Sequence, residues 1–103
     1  MTAPAAFPDS ARPRLARGIR LQWDDVRSQS MLLFPEGALE LNETAAKVLE
    51  LCDGERTVAD VVGILEARYP GADVGPDVKE LLGRLEERRF VTRDGRPPAK
   101  ERP

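Results

Sequence analysis

The hydrophobic period of this chain changes once, at Asn42. Up to that point apolar residues recur at every second position. GIRLQWD (Gly18–Asp24) sets Ile19, Leu21 and Trp23 on one face and Arg20 and Gln22 on the other. That is the pattern of a half-buried strand. RSQSMLLF (Arg27–Phe34) is read as a second strand and ALELN (Ala38–Asn42) as a third, with Leu39 and Leu41 on one face. The turns between them, Asp24-Asp25 and Pro35-Glu36-Gly37, are short, and consecutive strands joined by short turns form an antiparallel meander. Beyond Asn42 the spacing becomes three and four. Ala45, Val48, Leu49 and Cys52 make one helical stripe, with Asn42 as N-cap and Gly54 at the end. Val58, Val61, Val62, Leu65 and Tyr69 make a second, opened by a capping box of Thr57 and Asp60 and stopped by Tyr69-Pro70-Gly71. Pro76 suits the first turn of a third helix, whose stripe is Val78, Leu81, Leu82 and Leu85; Phe90-Val91 then closes the core. The expected fold class is α+β: an N-terminal three-stranded antiparallel β-meander followed by a three-helix bundle, similar to a winged helix-turn-helix with the wing placed first.

A chain of 103 residues suggests one domain. Residues 1–13 and 93–103 are rich in Ala, Pro and charge and lack periodicity, so they are read as flexible tails around a domain at 14–92. The net charge of −2 gives no global attraction to nucleic acid or to an anionic membrane. No apolar run approaches the ~20 residues that span a bilayer. Nor does the N-terminus read as a signal peptide. The expected location is the cytoplasm.

The chain has one cysteine and no histidine. The commonest general base and the commonest nitrogen ligand for metals are therefore missing, and a structural zinc site is not expected. Cys52 lies on the apolar stripe of its helix and reads as a small buried hydrophobe. Asp24, Asp25, Glu36 and Glu40 read as solvated carboxylates, because a thin α+β domain offers little room for an acid–base cleft. Gly71-Ala72-Asp73-Val74-Gly75 lacks the lysine and the spacing of a phosphate loop. Trp23 is read as packing in the core or at the edge of the sheet. The chain is thus not expected to be an enzyme or to hold a cofactor or metal.

The helix pair joined at Asp53-Gly54 invites comparison with a DNA reader. It carries Glu43, Glu50, Asp53, Glu55 and Asp60 against Lys47 and Arg56. In the third helix Lys79, Arg84, Arg88 and Arg89 alternate with Glu80, Glu86 and Glu87, with Glu80 and Arg84 spaced for an i, i+4 pair. A DNA-binding face needs several uncompensated cations. A winged-helix regulator stays as the rival reading, without the basic face that it requires.

A three-stranded meander leaves two open edges, and an open edge accepts another strand. With the third helix beside the third strand, Leu39, Leu41, Leu82 and Leu85 would floor a groove, and Lys79, Arg84 and Arg88 would rim it and favour an acidic peptide. On this reading Leu39→Pro blocks pairing where the Leu39 N–H faces the peptide. The edge has a second candidate occupant, another copy of the chain, which would make a homodimer.

Four motifs carry a resemblance. PRLARGIRL, LLFPEG, LN-x-x-A and LCDG-x-x-T-V resemble the PqqD family of pyrroloquinoline quinone (PQQ) biosynthesis proteins, and the similarity covers about Arg12 to Val91. That family is the prototype of the recognition elements for ribosomally made, modified peptides (RiPP recognition elements). The resemblance implies a non-catalytic chaperone. It would bind the precursor peptide PqqA and present it to PqqE, a radical S-adenosylmethionine enzyme that links a glutamate to a tyrosine. The iron–sulfur clusters and S-adenosylmethionine would belong to that partner. It also implies that the peptide adds as a strand between Ala38–Leu41 (Ala38, Leu39, Glu40, Leu41) and the third helix, Val78–Arg88 (Val78, Lys79, Leu82, Arg84, Leu85, Arg88). The same domain serves other peptide-modifying systems, so another modified peptide is the alternative ligand. Relatives often have Gly before the aromatic that follows the third helix; here the pair is Arg89-Phe90.

Overall fold

The computed structural model of the chain describes residues 7–93. β1 (Arg14–Leu15), β2 (Arg20–Asp24), β3 (Gln29–Phe34) and β4 (Gly37–Leu41) come first; α1 (Glu43–Glu50), α2 (Val58–Arg68), α3 (Gly75–Glu87) and β5 (Val91–Thr92) follow. The expected α+β class and the meander are present: β2, β3 and β4 form an antiparallel sheet in that order. β1 and β5 form a second, two-stranded antiparallel ribbon that the sequence did not reveal, since two-residue strands carry no period.

In the sheet Leu21, Leu32 and Leu39 stand side by side across the three strands on the face that meets the helices. Leu32 is fully buried at its centre and joins Leu41, Val48, Leu49, Val58, Val61, Val78, Leu82 and Val91 in one core. Each helix starts where its local chemistry says. The Asn42 side chain accepts the Ala45 N–H at 2.7 Å. At α2 the Thr57 hydroxyl accepts the Asp60 N–H at 3.1 Å, and the Asp60 carboxylate accepts the Thr57 N–H at 2.9 Å. Those hydrogen bonds to Thr57 hold the Asp60 carboxyl below its ordinary pKa. Pro76 lies in the first turn of α3. Tyr69, expected at the end of the α2 stripe, is 41% exposed instead, because the helix has already ended at Arg68.

α3 ends in a Schellman motif. The Arg89 N–H donates to the Glu86 carbonyl and the Phe90 N–H to the Leu85 carbonyl, both at 2.9 Å. The motif requires a left-handed residue between them, and Arg89 fills that place at φ 67°.

The expected tail through residue 13 is corrected for Phe7–Pro13. Phe7 is 1% exposed and Pro13 is fully buried. Ala11 and Asp9 offer their carbonyls to the Val58 and Ala59 N–H groups at 2.9 and 3.1 Å. These are the first donors of α2, which have no partner within the helix. Arg93, placed in the second expected tail, is held in the fold. The Arg93 guanidinium pairs with Glu86 and stacks over the Phe7 ring, 4.6 Å from its centroid. Residues 1–6 and 94–103 of the two expected tails lie outside the described residues. No helix among the described residues is long and apolar enough to cross a membrane.

Candidate functional site

The hairpin turn between β3 and β4 decides which backbone groups are free. Pro35-Glu36 is a two-residue turn closed by the pair Phe34–Gly37. A closing pair this tight must exchange its own N–H···O bonds, and hydrogen-bonded pairs then alternate along an antiparallel ladder. Gly37, Leu39 and Leu41 therefore turn their N–H and C=O groups to β3. Ala38 and Glu40 turn theirs outward, onto the open edge of β4. The same alternation makes Arg20, Gln22 and Asp24 the inward-bonded residues of β2. Leu21 and Trp23 face its open edge.

Beside the end of β4 lies a cleft of about 330 Å³ between α1 and α3. Asn42, Thr44, Ala45 and Val48 line one wall, and Val74, Asp77, Glu80, Leu81 and Arg84 the other. Its apolar contribution from α3 is Leu81, which is half-buried, with Val74 at the helix N-cap. The charges along α3 are ordered. Asp77 and Glu80 stand towards its N-terminus; Arg84 follows one turn on, and Arg88 another. Arg84 lies 3.8 Å from Glu80, the pair expected from the spacing. The Arg88 guanidinium covers the Phe90 ring at 4.9 Å, and Phe90 in turn stacks on Phe34 at 4.7 Å.

The expected site residues divide between this surface and the core. Ala38 and Glu40 are exposed on β4, and Glu40 pairs across the outer face with Arg27 at 3.0 Å. Leu39 is half-buried. Leu41, Leu82 and Leu85 do not floor an open groove: they are 5%, 0% and 5% exposed. Val78 is also buried, although it reaches the base of the cleft. Arg84 and Arg88 are both exposed; Arg84 lines the cleft, and Arg88 lies over the Phe90 ring. Lys79 is not on that rim. It sits two residues from Leu81, on another side of α3, and pairs with Asp9 of the N-terminal arm at 2.7 Å. Leu81, which lines the cleft, was not among the expected site residues. It lies within the same apolar stripe as Leu82, and only the position of α1 separates the two.

The other reactive side chains are quiet. Cys52 is buried, and its thiol donates to the Val48 carbonyl at 3.2 Å. Burial, then the neighbouring Asp53 charge, push the thiol pKa up to about 12. The Asp53 carboxyl is held below its usual range, first by the Arg56 N–H that it accepts. No group of three or more potential metal ligands occurs among the described residues.

Comparison with known proteins follows this geometry. The family model for coenzyme PQQ synthesis protein D (PqqD) matches residues 29–91. The chain belongs to the PqqD family. The matched span runs from the first residue of β3 to the first of β5, so it contains the β4 edge, the cleft and all of α3. The PqqA binding protein of Kluyvera intermedia is 44% identical over 84 residues, 81% of this chain and 91% of that protein. The bifunctional coenzyme PQQ synthesis protein C/D of Methylorubrum extorquens is 39% identical over 92 residues, 87% of this chain and 25% of the relative. The solution NMR structure of the PqqD part of the Methylobacterium extorquens PqqCD protein, described as a functional and stand-alone RiPP recognition element, superposes with a TM-score of 0.75. It is 38% identical and is matched over 87% of this chain and 98% of that one. A PqqD-family domain thus accounts for the fold and for the motifs from LLFPEG onward.

Proposed function

We propose that this chain is a non-catalytic peptide adaptor of PQQ biosynthesis. It takes a PqqA-type precursor peptide as an added strand on β4 and holds it for PqqE, the radical S-adenosylmethionine enzyme that modifies it. The observation that carries the reading is the pairing of an open edge with an apolar cleft. Ala38 and Glu40 present unpaired backbone donors and acceptors, and Leu81 with Val74 lies just beyond the end of that strand. Main-chain bonds to the edge give affinity, and the cleft selects side chains. Arg84 and Arg88 attract an acidic peptide residue, while Asp77 and Glu80 discourage one at the other end of α3. The relatives' description as PqqA binding proteins supports PqqA as the ligand.

The peptide-binding unit is the whole of residues 7–93, because the N-terminal arm caps α2 and Arg93 clamps α3. The chain supplies no iron–sulfur cluster or S-adenosylmethionine in this scheme, and its place of work is the cytoplasm. A calorimetric titration of PqqA into the full chain, repeated with PqqE present, tests the proposal. One-to-one saturable binding to the chain alone, retained in a ternary mixture, is the expected result. No binding in either mixture would sink it.

A further inference from the structure

The charges of α3 do not cancel where the chain leaves it. Glu80 pairs with Arg84 at 3.8 Å and Glu86 with Arg93 at 2.7 Å. Arg88 and Arg89 follow, both exposed. Arg88 lies over the Phe90 ring, and neither arginine makes an ion pair among the described residues. Arg89 holds the left-handed place of the Schellman motif at φ 67°, where glycine is free of strain. A cation kept at such a place points to a use for it.

The fold brings two more cations to the same end of the molecule. The Ala16 N–H donates to the Phe90 carbonyl at 2.9 Å, so Arg17 and Arg89 are the next residues on two adjoining segments. Arg20 opens β2 three residues after Arg17 and pairs with Leu33 of β3. Both are exposed and make no ion pair among the described residues. The carboxylates on these segments that stay unpaired are Glu36, in the turn between β3 and β4, and Glu87. Cations at a helix C-terminus also offset its macrodipole. That accounts for Arg88 and Arg89 but not for Arg17 and Arg20, which lie outside the helix.

The basic patch adjoins the peptide edge. Gly37, the first residue of β4, lies against Phe34: a Cβ there would stand 3.7 Å from the ring. Phe34 stacks on Phe90, and Phe90 carries Arg88. A strand added to β4 therefore leaves its Gly37 end beside Arg88, with Arg89 and Arg17 next in line.

We propose that Arg17, Arg20, Arg88 and Arg89 form an anchoring site for an acidic segment of the bound peptide, met where the peptide leaves β4. This rests on the peptide reading above and carries its contacts beyond the groove. A guanidinium takes a carboxylate through two N–H donors. Glu36 and Glu87 interrupt the patch, which suits separate carboxylates better than an unbroken row of phosphates. The patch also steers the approach of an acidic chain, so its contribution falls as salt rises.

Calorimetric titration of the full chain tests it with two peptides, native PqqA and PqqA with every Asp and Glu replaced by Asn and Gln. The paired variant Arg17→Gln/Arg89→Gly keeps the fold, because Arg17 is exposed and glycine suits φ 67°. It should bind native PqqA roughly tenfold more weakly at low salt and with much less loss at high salt. The neutralised peptide should bind variant and native chain alike. Equal binding of native PqqA by the two chains overturns the proposal. An equal loss for both peptides also overturns it, because the change is then one of shape and not of charge. Ala38→Pro keeps the two questions apart, since it removes an N–H of the edge and leaves all four arginines. Loss of PqqA by Ala38→Pro without loss by the paired variant retains the docking edge and rejects the patch. Tighter binding of the native chain to a short duplex DNA than to PqqA assigns the patch to nucleic acid and rejects it as well.

Discussion

Arg93 grips both carboxylate oxygens of Glu86, from Nε to Oε2 at 2.8 Å and from Nη2 to Oε1 at 2.7 Å. The two-point contact ties the segment after β5 to the last turns of α3. The Arg93 hydrogen bonds are the main reason that the Glu86 carboxyl lies below its ordinary pKa. A carboxylate with a depressed folded pKa stabilises the native state above its unfolded pKa, about 4.3. That stability is lost as pH falls through the folded value. Glu86→Gln is expected to cost about 1 kcal/mol at pH 7, since both partners are about one-third exposed. The difference between variant and native chain should shrink to nothing in acid. Urea midpoints from neutral to acidic pH read it directly; a difference that persists in acid would show that lost packing, not charge, is responsible.

Arg89 occupies a left-handed position that glycine fills without strain. A non-glycine residue there costs about 1–2 kcal/mol in the folded chain, and glycine gives back part of this through its freer unfolded state. Arg89→Gly is expected to raise stability by about 0.5–1 kcal/mol. Gly54→Ala, at φ 83°, should do the opposite. Thermal denaturation of the two variants should show midpoints shifted in opposite directions.

On β4 the parity of the ladder separates two neighbouring prolines. Leu39→Pro was the natural choice from sequence, but the Leu39 N–H bonds inward to β3. Proline there breaks the hairpin. Ala38→Pro removes an outward N–H and leaves the ladder intact. The expected outcome for Ala38→Pro is a native circular dichroism spectrum with at least tenfold weaker peptide binding, about 1.4 kcal/mol. Full-strength binding by that variant would exclude the β4 edge as the docking strand.

Adjacent leucines on α3 should report different quantities. Leu82 is completely buried, so Leu82→Ala should cost about 2–5 kcal/mol of stability. Leu81 is half-buried at the cleft. Leu81→Ala should cost less stability, about 1 kcal/mol, and weaken the peptide instead. Paired calorimetric and denaturation curves distinguish the two.

The N-terminal arm offers a fifth test. Phe7 is among the largest fully buried side chains. Phe7→Ala is expected to cost about 3–5 kcal/mol, comparable to a loss from the centre of the core. An unchanged urea midpoint would mean that the arm is dispensable.

What could be read from sequence was local. The Asn42 cap, the Thr57–Asp60 box and a tight turn at Pro35-Glu36-Gly37 each depend on residues within three positions of one another; the structure shortens that turn to Pro35-Glu36, with Gly37 already in β4. Their signatures survive without knowledge of the fold. Phe7 could not be read, because a lone aromatic among alanines and prolines has no period and its burial depends on α2, α3 and Arg93. Leu81 and Leu82 share a stripe about 100° wide, so the pattern places both inside. Only the neighbouring helix decides which one water reaches. Lys79 was grouped with Arg84 by charge, although the two point away from α3 in different directions and Asp9 claims the lysine. The Arg89-Phe90 departure from relatives was legible as an oddity. Its meaning, a left-handed arginine, needed coordinates.

The ribbon of β1 and β5 has a consequence for how such a domain can be carried. The Arg12 N–H donates to the Arg93 carbonyl at 3.0 Å, and the Arg93 guanidinium lies 4.6 Å from the centroid of the Phe7 ring, so the two ends of the described chain lie close together. A tether attached at either end would start from nearly the same point. A partner joined to either end would therefore see the β4 edge from nearly the same anchor point.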